Sequence, residues 1–393
     1  MIPEPVHLQI LPLVLTVGVE TEIRVVPSRA EDRLPAGEYA CELQHRAQPG
    51  ATRVVTAERS DDGRVRFRLV VEQPGELTVT LVFPCERRRG CGSIYAVEPD
   101  LGGLIPLRGD LHTHTWYSDG SCAPGELLQT AWGLGLDFVA VTDHDNWEGS
   151  REAVVAGRSL PVTVIPGEEV AFNRGHVVAV GVSSGVMDRR RSVDSEAEVA
   201  ALAETLCEGG EEAGFASQYA RALWATRTIR ALGGLSILAH PFWVADGELH
   251  LDERIARRLY LDGEIDAVEL LGDVDFEDNL RSIALHTEMA GAGVRMPVVG
   301  NSDTHGLYHT LGRYWTVAFA TANEPDAVLD AVRRGRTVAC VQLPGEQLRI
   351  YGPLRLVHYA YFLHRRYFPT QDRLHDTGDL EPVVVYRDAA LGR

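Results

Sequence analysis

A chain of 393 residues with 38 basic and 56 acidic side chains has a formal net charge of −18, and its 45% apolar content is enough for more than one buried core. Every basic residue other than histidine is arginine; the absence of lysine excludes a Schiff-base lysine, a phosphate-loop lysine and a lysine general base. The acidic balance argues against extended binding along nucleic-acid backbones, although a local arginine patch can still hold a small anion.

At the N-terminus, VHLQILPLVLTVGVE is apolar but has no basic leading segment and no small-residue cleavage site, so it reads as a pair of strands and not a signal peptide. No run reaches the roughly 18 apolar residues of a spanning helix. The expected setting is cytoplasmic, with no membrane partner. Between about residues 5 and 100, runs such as EIRVVPS, EYACELQH, TRVVTAE, RVRFRLVV and ELTVTLVFP alternate with turns rich in Gly, Pro and Asp. That texture predicts a small all-β sandwich over residues 1–104. Six cysteines without a C-x-x-C pair indicate neither a zinc ribbon nor a disulfide scaffold. Cys85 and Cys91 flank ERRRG, where a bridged hairpin and two free thiols are both open readings, and free thiols suit a cytoplasmic setting.

After Leu107 apolar runs alternate with helical patterns, which predicts an α/β fold of βα units around a parallel sheet over residues 105–345. The strands expected are LRGDLHTHT, LDFVAVTDHD, VTVIPGEEVAF, HVVAVGV, GLSILAHP, DAVELLG, MPVVGNSDTH and YWTVAFA. Residues 184–217 read as an inserted helical excursion, either a lid or a solvated surface helix. In the extension 346–393, PLRLVHYAYFLHRRYFP is an aromatic and basic helical pattern closed by Pro369. It suits packing against the β domain or against a second subunit of a homo-oligomer, with a substrate contact as a further alternative.

Nearly every unusual polar residue falls at the end of one of these strands. GDLHTHTWYSDG supplies His112, His114 and Asp119; VTDHD supplies His144 between Asp143 and Asp145; PGEEV supplies Glu168 and Glu169. RGHVVAV supplies His176, LAHP supplies His240, and GNSDTH supplies Asp303 and His305. In an extended strand alternate side chains share a face, so His112 and His114 point one way together with Asp110, and Asp303 and His305 repeat the spacing. Imidazoles with a few carboxylates and no thiolate suit zinc, manganese or iron better than magnesium or calcium. A satisfied core histidine accounts for any one of them; a metal site accounts for the set.

This ordered set resembles the PHP (polymerase and histidinol phosphatase) family over about residues 107–340. The β domain in front of it further resembles the PHP-like metallohydrolases grouped with the carbamate hydrolases CehA and McbA. The resemblance implies a distorted (β/α)7 barrel with two or three divalent ions (Mn, Zn or Fe) at its C-terminal mouth. It implies one ion on His112, His114, Glu169 and Asp303, a second on the bridging Glu169, His176 and His240, and a third on Asp119, His144 and His305. Glu169 is preferred to Glu168 by the family's spacing, and strand parity allows only one of the two to face the ions.

The implied function is hydrolysis by a metal-bridging hydroxide, as a phosphoesterase on a small phosphorylated metabolite or nucleotide, or alternatively as a carboxylic or carbamate ester hydrolase. Beside the catalytic Glu169 and Asp303, Arg174 and Arg313 are candidates to hold a substrate anion and His309 to protonate the leaving group. Asp110 and Asp143 are candidates to orient His112 and His144, and Trp116, Tyr117 and Trp243 to stack on an aromatic substrate. A non-catalytic module that kept the fold is the remaining reading, disfavoured because every motif position is filled.

Overall fold

Strands early in the chain bury every second side chain: in Thr21–Pro27, Ile23 and Val25 point inward while Glu22 and Arg24 face solvent. A computed structural model describes residues 6–28, 34–48, 50–84, 89–192, 194–245, 247–308 and 310–393. The chain divides into two units, Met1–Ile105 with His358–Arg393, and Pro106–Val357.

The first unit contains β1 (Val6–Leu11), β2 (Val14–Thr16), β3 (Thr21–Pro27), β4 (Glu38–His45), β5 (Thr52–Arg59), β6 (Val65–Leu69), β7 (Gly75–Val82) and β8 (Arg89–Val97). They form one sheet in the order β1-β3-β6-β5-β4-β7-β8-β2, and β1 also pairs parallel with β8. The hydrogen bonding therefore runs round on itself, where two facing sheets were expected. Alternating burial cannot tell the two apart, because a sandwich and a closed sheet both bury alternate residues. Its core includes Ile23, Val25, Tyr39, Leu43, Phe67, Val79 and Leu81. Cys91 is a free thiol, as are Cys41, Cys122, Cys207 and Cys340, while Cys85 lies outside the described residues.

The second unit is a mixed α/β assembly. Its strands are β9 (Ile105–Asp110), β10 (Phe138–Val141), β11 (Thr163–Phe172), β12 (Gly175–Val180), β13 (Leu235–Leu238), β14 (Val244–Ala245), β15 (Glu248–Leu249), β16 (Ala267–Leu271), β17 (Val298–Gly300), β18 (Tyr314–Ala320), β19 (Thr337–Val341) and β20 (Arg349–Tyr351). Between them lie α1 (Pro124–Gly133), α2 (Glu148–Gly157), α3 (Val186–Ser192), α4 (Ser195–Glu208), α5 (Ala213–Ala231), α6 (Glu253–Leu261), α7 (Phe276–Gly291) and α8 (Pro325–Arg333). Ten of the strands make one sheet in the order β17-β16-β13-β12-β11-β10-β9-β18-β19-β20, and β14 pairs with β15 in a separate hairpin.

The sheet curls so that its first strand returns to β18 and β19. Gly300 N donates to Thr316 Oγ1 at 3.0 Å, Thr316 Oγ1 donates back to Gly300 O at 2.9 Å, and Thr337 Oγ1 donates to Val298 O at 2.7 Å. Only glycine fits this seam, since a Cβ on Gly300 would meet Trp315 O at 2.9 Å and Cys340 N at 3.0 Å.

The expectation of a wholly parallel sheet is corrected at β12. It runs antiparallel to both β11 and β13, joined to β11 by a tight turn in which Asn173 takes φ 62°. The apolar run HVVAVGV carries no sign of direction; only the two-residue connection, too short for a crossover helix, does. One consequence is that the start of β12 lies at the same end of the sheet as the ends of its neighbours.

The chain closes with α9 (Leu354–Arg366), α10 (Phe368–His375) and α11 (Leu380–Leu391). From His358 onward these helices belong to the first unit, with Tyr359 stacked on Tyr95 at 5.1 Å between ring centroids and Arg365 paired with Glu76 at 2.8 Å. No described helix is long and apolar enough to cross a membrane.

Candidate metal centre

β9 ends at Asp110, so the HTH triplet lies beyond the strand expected to carry it. An isolated parallel bridge from Thr113 to Thr304, with His114 N donating to Thr304 O at 2.9 Å, and buried polar contacts hold it in place. Asp110 Oδ1 accepts from His112 N at 3.2 Å and from Ser302 N at 3.1 Å, and Asn301 Oδ1 accepts from Leu111 N at 3.1 Å. Asp143 accepts from Thr115 N at 2.7 Å, from Thr115 Oγ1 at 2.7 Å and from Ser118 Oγ at 2.8 Å. Neither acid orients an imidazole, as expected of them; both hold backbone and hydroxyl groups of the loop. Burial pushes the Asp110 carboxyl up to about 7 although these donors pull it down.

The residue that orients His112 was not singled out in the sequence. Glu269, buried in β16, lies 2.9 Å from His112 Nδ1 and accepts from Asn301 Nδ2 at 3.0 Å. A donating Nδ1–H leaves the lone pair of His112 on Nε2, facing inward. The signal available was a single acid inside the apolar run DAVELLG, a buried charge that needs partners.

Glu169 stands at the middle of the cluster. Its Oε1 lies 3.1 Å from His176 Nδ1 and 3.1 Å from His240 Nε2; its Oε2 lies 3.1 Å from His112 Nε2, 3.2 Å from His114 Nε2 and 2.9 Å from His144 Nδ1. Asp303 Oδ1 lies 3.2 Å from His112 Nε2 and 2.9 Å from His114 Nε2. The antiparallel β12 makes the His176 contact possible, because its start is opposite the end of β11 with Ala171 paired to His176.

Glu168 faces the other way. It is fully buried and accepts from Val186 N at 2.6 Å and Met187 N at 3.3 Å, at the start of α3, with burial pushing its carboxyl up to about 7.

A more open group adjoins this one. Asp119 Oδ1 lies 3.3 Å from His305 Nε2 and Asp119 Oδ2 lies 3.7 Å from His144 Nε2. His305 Nδ1 donates to Asp303 O at 2.9 Å, which again turns Nε2 inward. Among the described residues, three sets have ligand atoms within 4.8 Å of one another: His112, His114, Glu169 and Asp303; His144, Glu169 and His176; and His114, Asp119, His144 and His305. His144 and His114 thus each reach two sets, beyond the single assignments expected. Three of the four non-glycine residues with positive φ among those described, Asp145 (48°), His240 (23°) and Asp303 (47°), lie at these strand ends, a concentration of backbone strain usual at functional sites.

The chemistry of the set fits cations. His112 Nε2 and His114 Nε2 are 3.1 Å apart and both face carboxylate oxygens, while Glu169 Oε2, Asp303 Oδ1 and His176 Nδ1 are buried without a hydrogen-bond partner of good geometry. Burial pulls the His112 ring down, but Asp303, Glu169 and Glu269 more than reverse it and hold it well above its ordinary value; the same balance brings His114 to about 9. Conversely burial pushes Glu169 up, and His112, His114 and His144 outweigh it, holding the carboxyl well below its ordinary range. A field that retains a proton on a buried imidazole favours any positive charge placed there.

Of the other expected residues, Arg174 and Arg313 are not drawn into the cluster. Arg174 pairs with Glu248 in the β14–β15 hairpin, both exposed. Arg313 lines a cleft of about 450 Å³ with Asp273, Phe276 and Arg349. His309 lies outside the described residues. Trp243 borders the cluster, its ring 5.4 Å from that of His240 and 4.0 Å from that of His250. Trp116 is 59% exposed beside the loop, and Tyr117 OH donates to Glu152 at 2.6 Å.

Residues 110–224 match the PHP domain and residues 292–337 the PHP-associated segment. A 3′,5′-nucleoside bisphosphate phosphatase of Chromobacterium violaceum is 23% identical over 262 residues, covering 52% of this chain and 85% of its own. A 5′-3′ exoribonuclease of Haemophilus influenzae is 37% identical over 75 residues, 18% of this chain, and the match spans only 27% of that relative's length. Among solved structures, a two-domain protein of Bacteroides vulgatus with a PHP-like metal-dependent phosphoesterase module aligns at TM-score 0.44 and 19% identity, over 61% of this chain and 66% of that one. The chain thus carries a PHP domain over residues 110–224 followed by a PHP-associated segment over residues 292–337.

Proposed function

We propose that the chain is a metal-dependent phosphoesterase that hydrolyses a small phosphorylated metabolite or nucleotide in a cytoplasmic setting. The observation that carries this reading is Glu169, one buried carboxylate whose two oxygens face two different groups of imidazoles at 2.9–3.2 Å. A carboxylate so placed suits a bridge between two ions. The proposed ligands are His112, His114, Glu169 and Asp303 for one ion, Glu169, His176 and His240 for a second, and Asp119, His144 and His305 for a third, the ions being Mn, Zn or Fe.

Bound divalent ions supply an ionised water near neutral pH and neutralise charge on the substrate's oxygens. Glu269 and the Asp303 carbonyl fix the ring nitrogens of His112 and His305 that face the site, and Asp110 and Asp143 keep the intervening loop from shifting. In this proposal Arg174 turns from Glu248 to a substrate anion, Arg313 holds a more distant part of the substrate, and His309 protonates the leaving group on sequence grounds alone. Every proposed metal ligand lies within residues 105–345; the β domain and the extension 346–393 contribute none. Two relatives named for phosphoester cleavage support the phosphoesterase over the ester or carbamate alternative.

The test is metal analysis of the purified protein followed by hydrolysis of aryl phosphate monoesters and diesters, a carboxylic ester and an aryl N-methylcarbamate. Bound transition metal with turnover of a phosphate ester is the expected result. Turnover of the carbamate alone would transfer the chain to the alternative reading, and absence of both metal binding and metal-dependent turnover would remove the catalytic one.

A further inference from the structure

We propose that the Pro106–Val357 unit carries a second small-molecule site, remote from the metal centre, for an organic anion with an apolar body. A cavity of about 890 Å³ opens between α7, the segment leading into β17, the turn from α8 to β19 and the start of α9. It lies at the opposite end of the strands from the cluster: Pro297 and Val298 line it where β17 begins, and Thr337 where β19 begins. It also lies on the other face of the sheet. Glu269 and Leu270 are successive residues of β16, and while Glu269 turns to His112, Leu270 lines the cavity.

The charge of the lining runs against that of the chain. With 56 acidic and 38 basic residues overall, the cavity is lined by four arginines, Arg295, Arg333, Arg334 and Arg355, and by no aspartate or glutamate. Arg334 is engaged by Asp330 at 2.7 Å and Arg333 donates to Gly233 O at 3.4 Å, whereas Arg295 has no ion-pair partner among the described residues. On the same wall, His286 Nδ1 is buried without a hydrogen-bond partner. The floor is apolar, formed by Leu270, Ile283 and Met296.

Guanidinium groups around an apolar floor recognise a phosphate or carboxylate attached to a hydrophobic body. An inorganic ion would leave most of the volume unfilled. Small-molecule sites occupy roughly 300–1,000 Å³, so the cavity suits a whole metabolite. The inference is independent of the hydrolytic reading, since no residue of the cluster lines the cavity.

The experiment titrates the metal-loaded full chain with 8-anilino-1-naphthalenesulfonate, read by fluorescence, with dodecyl phosphate and inorganic phosphate as competitors. The expected result is one saturable site displaced by dodecyl phosphate and not by inorganic phosphate. Arg295→Glu combined with Arg333→Glu should weaken it by about tenfold or more, the loss expected for charge-assisted hydrogen bonds. Thr287→Trp, which fills the cavity from an exposed position of α7, should weaken it comparably with an unchanged melting temperature. If the double variant fails to fold, Thr287→Trp alone decides. Affinity unchanged in the folded variants, or displacement by inorganic phosphate as readily as by dodecyl phosphate, would overturn the proposal.

Discussion

Glu269 Oε2 lies 2.9 Å from His112 Nδ1, so a carboxylate in the body of β16 determines which nitrogen of His112 faces the metal centre. Glu269→Ala should therefore weaken metal binding by roughly 10–100-fold, the usual effect of removing a group that orients a ligating histidine. Titration of the metal-free protein with Mn or Zn, read by calorimetry, checks this. An affinity equal to that of the parent would show that His112 is held by other contacts.

Glu168 and Glu169 are neighbours with opposite duties, and the same substitution should separate them. Glu169→Gln should abolish stoichiometric metal binding, because one amide cannot serve both groups of histidines. Glu168→Gln should leave metal content intact and lower stability by about 1–3 kcal/mol through its contacts to Val186 N and Met187 N. Elemental analysis and a denaturant titration of both variants decide it, and loss of metal from Glu168→Gln would reverse the assignment.

Metal should act on the fold as well as on the reaction. With His112 Nε2 and His114 Nε2 only 3.1 Å apart beside buried carboxylates, a bound cation relieves contacts that the metal-free chain must tolerate. Free metal at about 100 times its dissociation constant contributes roughly 2.7 kcal/mol per site. The melting temperature should rise on adding Mn or Zn and fall with a chelator; a melting curve indifferent to both would contradict the ligand set.

Gly120 in the SDG triplet is tested by adding a methyl group. A Cβ there would sit 2.6 Å from the carbonyl carbon and oxygen of His114 and 2.7 Å from Thr115 N, all backbone atoms that have no room to yield. Gly120→Ala should cost about 1–3 kcal/mol, in the range of overpacked sites, and reduce metal content together with stability. Normal metal content in the folded variant would mean that the loop adapts without disturbing its histidines.

Much of this centre was legible because metal-ligand chemistry restricts residue type and strand ends restrict position. His112, His114, His144, Glu169, His176, His240, Asp303 and His305 could be gathered from motifs alone, and their side chains converge. What escaped were groups whose role depends on distant partners. Glu269 looks like an isolated acid in an apolar run until Asn301 and His112 are folded beside it. Asp110 and Asp143 lie close to histidines in sequence, yet their oxygens serve backbone and hydroxyl groups of the loop. Strand direction escaped for a similar reason, since hydrophobic periodicity is the same read either way. In the first unit, alternation marked the inner face of strands such as Thr21–Pro27 and Val65–Leu69 and left the path of hydrogen bonding open.

The reversed strand β12 also affects the order in which the centre is assembled. Glu169 and His176 belong to one hairpin, so their meeting requires only a short turn, whereas the Asp110–Ser302 contact that brings Asp303 to His112 closes over 192 positions. Closure entropy grows with that separation, and a chain made from its N-terminus holds the hairpin long before residue 303 exists. In the proposed centre an ion that arrives early would meet a two-residue clip, and its retention afterwards would depend on β17 docking at the glycine seam. Metal content in a freshly purified sample should then record how completely β17 closed.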